Sequence, residues 1–150
     1  MTLSVVTVAD SISKLSVSGV TIKDLDQILD NVTSRDTPVM MPAPQFFTAP
    51  EVDRVSMGTG STAQTDVSYT LNYRFFFEEV GANRSLSDVY QDLVIKTMLI
   101  VDALIANDVV TGAIDLQFID VGAFGVVTDP VGESFFGVDI GIRIMEFENG

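Results

Sequence analysis

Residues 67–77 alternate without interruption. Val67, Tyr69, Leu71, Tyr73, Phe75 and Phe77 fall on one side, and Ser68, Thr70, Asn72 and Arg74 lie between them, continuing the polar phase of Asp66. A period of two is the pattern of a strand with one buried face. With its flanks this long strand covers about residues 65–79, reaching about 40 Å at ~3.3 Å per residue. Phe76 breaks the polar side. It predicts that this end of the strand is covered on both faces, by a helix or by another chain.

The segments around the strand set the fold class. Val5, Val8, Ala9, Ile12 and Leu15 share one face of an N-terminal helix over about residues 4–16, with Asp10 and Lys14 one turn apart and Ser18 and Gly19 closing the segment. Val20 and Ile22 alternate like a short strand, and a turn over residues 34–38 precedes the apolar strand Val39, Met40, Met41. Residues 42–50 hold three prolines around Phe46 and Phe47, and proline cannot donate to a ladder, so this stretch reads as a loop. Residues 52–57 read as a strand and residues 58–64 as a flexible connection. Ser85, with Asp88 three residues on, opens a long helix over about 85–107 after a turn at 81–84. Its apolar residues form two adjoining rows, Leu86, Val89, Leu93, Ile100 and Leu104 beside Val94, Met98, Val101 and Ile105. That stripe is wider than one core-facing edge requires.

The remainder reads as β. Ile114, Leu116 and Phe118 share a face over residues 113–121, and Asp129-Pro130-Val131-Gly132 joins two strands of a C-terminal hairpin. The returning strand places Phe136, Val138, Ile140, Ile142 and Ile144 on one face and Asp139, Gly141 and Arg143 on the other. Its phase slips at Met145, Glu146 and Phe147, which predicts a bulge or the end of pairing. The fold class is therefore α+β, a mainly antiparallel sheet packed by two helices, in a single domain 1–150.

Composition excludes several functions. The chain has no Cys and no His, so it has no disulfide framework, sulfur-based zinc site, imidazole ligand or Ser-His-Asp triad. Its 21 acidic and 8 basic residues, a net charge of −13, oppose a grip on nucleic acid phosphates. The last fifty residues are the most acidic third, with Arg143 their only cation. No secretory signal pattern is expected, and the apolar run over 94–106 is interrupted by Lys96 and Asp102 and is shorter than the ~20 residues of a membrane span. An intracellular or assembled protein is the expectation.

Candidate chemical motifs are weak. Asp24, Asp26 and Asp30 have calcium-loop spacing, but Leu29 and Arg35 stand where an EF-hand has Gly and Glu, and a solvated acidic turn explains them. Gly58-Thr59-Gly60-Ser61 lacks the Lys-Ser/Thr of a phosphate loop, and Glu78 and Glu79 point to opposite sides of a strand end. No catalytic, cofactor-binding or metal-ligating residue is assigned, and no enzyme activity is expected. The surface carries more information. A mean hydropathy of +0.36 suggests apolar surface destined for a partner, with Phe46, Phe47 and Phe76 as candidate subunit-interface residues. Phe46 and Phe47 either tuck back onto the core or face a neighbouring subunit, with core packing of at least one as the default. Asp115, Asp120 and Asp139 are candidates for an acidic surface that repels a passing polyanion such as DNA.

Five stretches carry a family resemblance. They are Leu15-Ser-Val-Ser-Gly-Val-Thr-Ile-Lys-Asp-Leu25, Val67-Ser-Tyr-Thr-Leu-Asn-Tyr-Arg-Phe-Phe-Phe77, Leu86-Ser-Asp-Val-Tyr90, Phe124-Gly-Val-Val-Thr-Asp-Pro-Val-Gly-Glu133 and Phe136-Gly-Val-Asp-Ile-Gly-Ile-Arg-Ile-Met-Glu-Phe147. Together they resemble the small tail-terminator and neck (head-tail joining) proteins of long-tailed bacteriophages. The resemblance implies a structural virion subunit, assembled in the host cytoplasm as a homo-hexameric ring that ends the tail tube and docks it to the head. Its implied partners are copies of itself, the tail-tube protein and a head-completion or connector protein, with DNA passing through the lumen without specific binding. It implies no cofactor and no membrane. Residues 42–50 and 58–65 would order on contact. A tail-tube or head-closure role in the same virion is the near alternative. A cytosolic protein-binding module and an enzyme using Ser, Lys or carboxylates are the rivals of other classes.

Overall fold

In a computed structural model, which describes residues 3–55, 64–81, 84–106 and 114–149, the alternating segment is strand β3, Gln64–Glu79, inside a six-stranded sheet. The other strands are β1 (Thr21–Ile22), β2 (Val39–Val55), β4 (Ile114–Val121), β5 (Gly125–Thr128) and β6 (Ser134–Asn149). The helices are α1 (Val5–Ser13) and α2 (Leu86–Ala106). The sheet order is β1-β2-β3-β6-β4, with β5 also paired to β6; β1 and β2 run parallel and the other pairings among the described residues are antiparallel. The molecule is thus a mixed α+β fold with a mostly antiparallel sheet, as the pattern of periods implies.

β3 and β6 pair along their whole lengths, Gln64 opposite Asn149 and Glu79 opposite Phe135. One register detail requires glycine. A Cβ on Gly137 would overlap the Phe75 carbonyl, so any side chain there would push the two central strands apart. The main core lies on the face where Tyr69, Leu71, Tyr73 and Phe75 of β3 meet Val138, Ile140, Ile142 and Ile144 of β6. Val8 and Ile12 of α1 and Leu93, Ile100 and Leu104 of α2 cover it. Lys96 donates to the Ser18 carbonyl at 2.8 Å, tying α2 to the turn after α1.

The structure departs from the sequence pattern in five places. Residues 42–50 are strand, since β2 runs through them with irregularities between Pro42 and Phe47 and between Thr48 and Glu51. The irregularities absorb Pro44 and Pro50, which have no N–H to offer, while Pro42 stays in register with Tyr73. Phe118 does not share a face with Leu116. A register shift between them turns Leu116, Ile119 and Val121 toward the core and leaves Phe118 exposed. The phase at residues 145–147 does not slip, because pairing with β3 continues and Glu146 takes the inward position after Ile144. α1 stops at Ser13, three residues short, and a tighter turn follows in which the Leu15 amide donates to the Ile12 carbonyl. Phe76 is 1% exposed and packs with Val32, Val39, Met41 and Phe135 in a second apolar cluster. It is therefore corrected from an interface residue to a core residue, covered by this chain's own loop and neighbouring strands. The expected connection at 58–64 lies outside the described residues except for Gln64, as do Ala82, Asn83 and the end of the long helix at Asn107.

Candidate functional site

The face of the sheet away from the helices is open and polar. Strand alternation places Ser68, Thr70, Asn72 and Arg74 of β3 there, beside Asp139, Gly141, Arg143 and Met145 of β6. Register with β6 adds Asp115, Phe118 and Asp120 of β4, so the three candidate aspartates share this one face. All three are exposed, and Asp139 forms a two-pronged pair with Arg74, at 2.7 Å to Nε and 3.2 Å to Nη2. Arg74 also donates to the Thr128 carbonyl at 3.0 Å.

Three further carboxylates lie on this face, Asp66 as the strand alternation predicts and two that it does not reveal. Glu51, Asp53 and Asp66 join it because β2 pairs with β3 past its second bulge, setting Asp53 opposite Asp66. Like charges directly opposite each other disfavour pairing. A depression of about 500 Å³ runs between them, lined by Glu51, Asp53, Asp66, Ser68, Phe118 and Arg143 among others. A second, of about 450 Å³, lies over Asn72, Arg74 and Asp139. The alternation of Asp66 with Arg74 was a usable signal for this face. The signal for Glu51 and Asp53 was hidden by the bulge.

Apolar surface lies elsewhere. The outward side of α2 presents Ile95, Met98, Leu99 and Ile105, between 38% and 59% exposed, in one row. Met98 and Ile105 belong to the second row of the sequence stripe, Ile95 and Leu99 to neither row, and Val101 of that second row is buried. Tyr90 on the same helix is edge-on to Phe124 with ring centroids 5.8 Å apart. Phe46 and Phe47 part company. Phe46 packs against the core, edge-on to Tyr73 at 5.3 Å, whereas Phe47 is 39% exposed with one flank on the Tyr69 ring at 5.2 Å.

Two carboxylates are buried and bonded. Glu146, 4% exposed, accepts from the Tyr69 hydroxyl at 2.6 Å and, with both oxygens, from the Ser4 amide at 3.0 Å. Ser4 is the N-cap of α1, so the carboxylate answers that helix terminus from the far end of the chain. Burial pushes the Tyr69 hydroxyl far above its usual pKa, reinforced by its bond to Glu146 and by that charge. Burial does the same to Tyr73, with the Asp24 charge adding to it. Asp129 accepts from the amides of Val131 and Glu133 and, across 97 residues, from Val32, closing the β5–β6 turn onto the loop before β2. Both arrangements hold elements in place.

Among the described residues no group of three His, Cys, Asp or Glu side chains is placed to hold a metal ion. Asp24 caps the short 3-10 turn Leu25–Gln27 instead, with Gln27 returning a bond to its amide. No helix among the described residues is long and apolar enough to cross a membrane. The chain matches no protein-family model, and no curated protein matches it.

Proposed function

We propose that this protein is a structural subunit of a long-tailed bacteriophage virion, forming a ring that ends the tail tube and joins it to the head while DNA passes through the lumen. The observation that carries the reading is the outward row of α2. Four large apolar side chains on a helix whose other face already fills the core call for a second surface to cover them. Completing their burial is worth on the order of 1 kcal/mol each, enough to help closure of a repeated interface without forcing strong association of isolated chains. Copies of the same chain, six by the family resemblance, are the proposed occupants, with Phe47 contributing at the sheet edge.

The open acidic face fits the lumen of that ring. Carboxylates there keep a polyanion moving by repulsion, and the two guanidiniums on the face are engaged with Asp139 and with backbone and side-chain oxygens. The ring would be non-catalytic and cofactor-free, located in the virion neck, with the tail-tube protein and a head-completion protein on its two sides. Native mass measurement and negative-stain microscopy test the reading. Rings with a DNA-sized pore, and capping of purified tail tubes, are expected, and Leu99→Ser combined with Met98→Ser should abolish both while leaving monomer stability within about 1 kcal/mol. A chain that stays monomeric at high concentration and fails to cap tubes overturns it. Long tubes in place of rings would instead indicate the tail-tube role.

A further inference from the structure

β2 carries two surfaces, and its second bulge decides which residue belongs to which. Phe47 pairs with Leu71 and Val52 with Val67, so both lie on the helix-side face of the sheet, while Glu51 and Asp53 lie on the acidic face. Five positions separate Phe47 from Val52, an odd number that in a regular strand would put them on opposite faces. The extra residue at the bulge between Thr48 and Glu51 restores the phase. At its centre Ala49 has φ 51°, in the left-handed region that an alanine rarely adopts, and Pro50 follows it. Something must hold that conformation.

Arg143, which the chain buries to 8% exposure in the middle of the acidic face, reaches this bulge. Its Nη1 donates to the Ala49 carbonyl at 2.8 Å and to Thr70 Oγ1 at 3.1 Å, and its Nη2 lies 3.6 Å from Glu51. Asn72 supports the same stretch from β3, donating to the Gln45 carbonyl at 3.0 Å and to Thr48 Oγ1 at 2.7 Å. We infer that Arg143 is a positioning residue whose bond to Ala49 sets the phase of the distal half of β2, directing Phe47 and Val52 to the apolar contact surface and Glu51 and Asp53 to the acidic one. The assignment of partners to those surfaces rests on the proposed function. The phase control does not. Val52, 64% exposed, is thereby added to Phe47 as a contact residue.

The test combines hydrogen exchange with self-association for the full chain carrying Arg143→Met, Arg143→Lys, or Arg143→Met with Ala49→Gly. Arg143→Met should raise amide exchange across residues 48–53 at least tenfold while exchange in the β3–β6 pairing is unchanged, and should weaken assembly by a similar factor. Ala49→Gly should recover most of both losses, because glycine enters the left-handed region without a holder. That rescue separates phase control from loss of a charge. Arg143→Lys, which keeps one donor and the charge, should fall between and serves if the methionine variant does not fold. Unchanged exchange at 48–53 in both single variants, or failure of glycine to restore it, overturns the inference. If the wild-type chain does not assemble, the proposed function fails while the exchange and rescue data still decide the role of Arg143.

Discussion

Tyr69→Phe isolates the most consequential polar contact in the core. The hydroxyl lies 2.6 Å from Glu146, the tyrosine is fully buried, and Glu146 is 4% exposed. A buried hydrogen bond to a charged group contributes about 1.5–3 kcal/mol. Removing the hydroxyl leaves the carboxylate with the Ser4 amide as its remaining described partner, so the upper half of that range applies, about 2–3 kcal/mol. For a chain of this length each kcal/mol moves the melting temperature by roughly 2–4 °C, which makes the expected drop about 4–12 °C. Urea denaturation at neutral pH measures the free energy directly, and a cycle with Glu146→Leu gives the coupling. The single Glu146→Leu variant strands the tyrosine hydroxyl and the helix terminus. The double variant leaves only the Ser4 amide unanswered, so it should be more stable than the sum of the single losses by at least about 1 kcal/mol. A Tyr69→Phe variant within about 0.5 kcal/mol of wild type, or additive losses in the cycle, would refute the idea that this buried charge depends on its tyrosine.

Three other outcomes are expected. Phe46→Ser should cost about 2–3 kcal/mol in urea denaturation, because Phe46 packs on the core and on Tyr73, while Phe47→Ser costs less than half as much and weakens self-association more; equal losses would place both rings in the core. Asp88, which accepts from the Ser85 amide and hydroxyl, is held below its ordinary value of 3.8 chiefly by that amide. A depressed carboxylate contributes stability that is complete above its unfolded pKa and lost as pH falls through the folded one, so protection of the first turn of α2 should decline below about pH 4 in wild type and show no such decline in Asp88→Asn. Replacing Asp115, Asp120 and Asp139 together by Lys should slow DNA passage through assembled particles with little effect on ring formation, and unchanged packaging and ejection would count against the acidic-lumen reading.

Much of the architecture was visible in the residue pattern. The unbroken alternation over residues 67–77 and the row Val138, Ile140, Ile142 and Ile144 correspond to β3 and β6, and the periodicity after Ser85 corresponds to α2. The surfaces were visible only in outline. Asp115, Asp120 and Asp139 do share a face, but the partnership of Asp139 with Arg74 spans 65 residues and has no local signature. Phe76 was a sound indication of cover on both sides of β3, yet whether that cover came from this chain or another could not be read from the strand itself.

Periodicity alone determined where the regular elements lie and which side of each is apolar, because burial of alternate or every third and fourth residue leaves a record within a few positions. Tertiary structure decided the exceptions. The proline-rich stretch became strand because Asn72 and Arg143 bond its displaced oxygen atoms, the latter from 94 residues away. Glu146 entered the core because a hydroxyl 77 residues away and an amide 142 residues away meet it there. A bulge or a buried charge is stable only when distant groups satisfy it, and a local pattern holds no information about those groups.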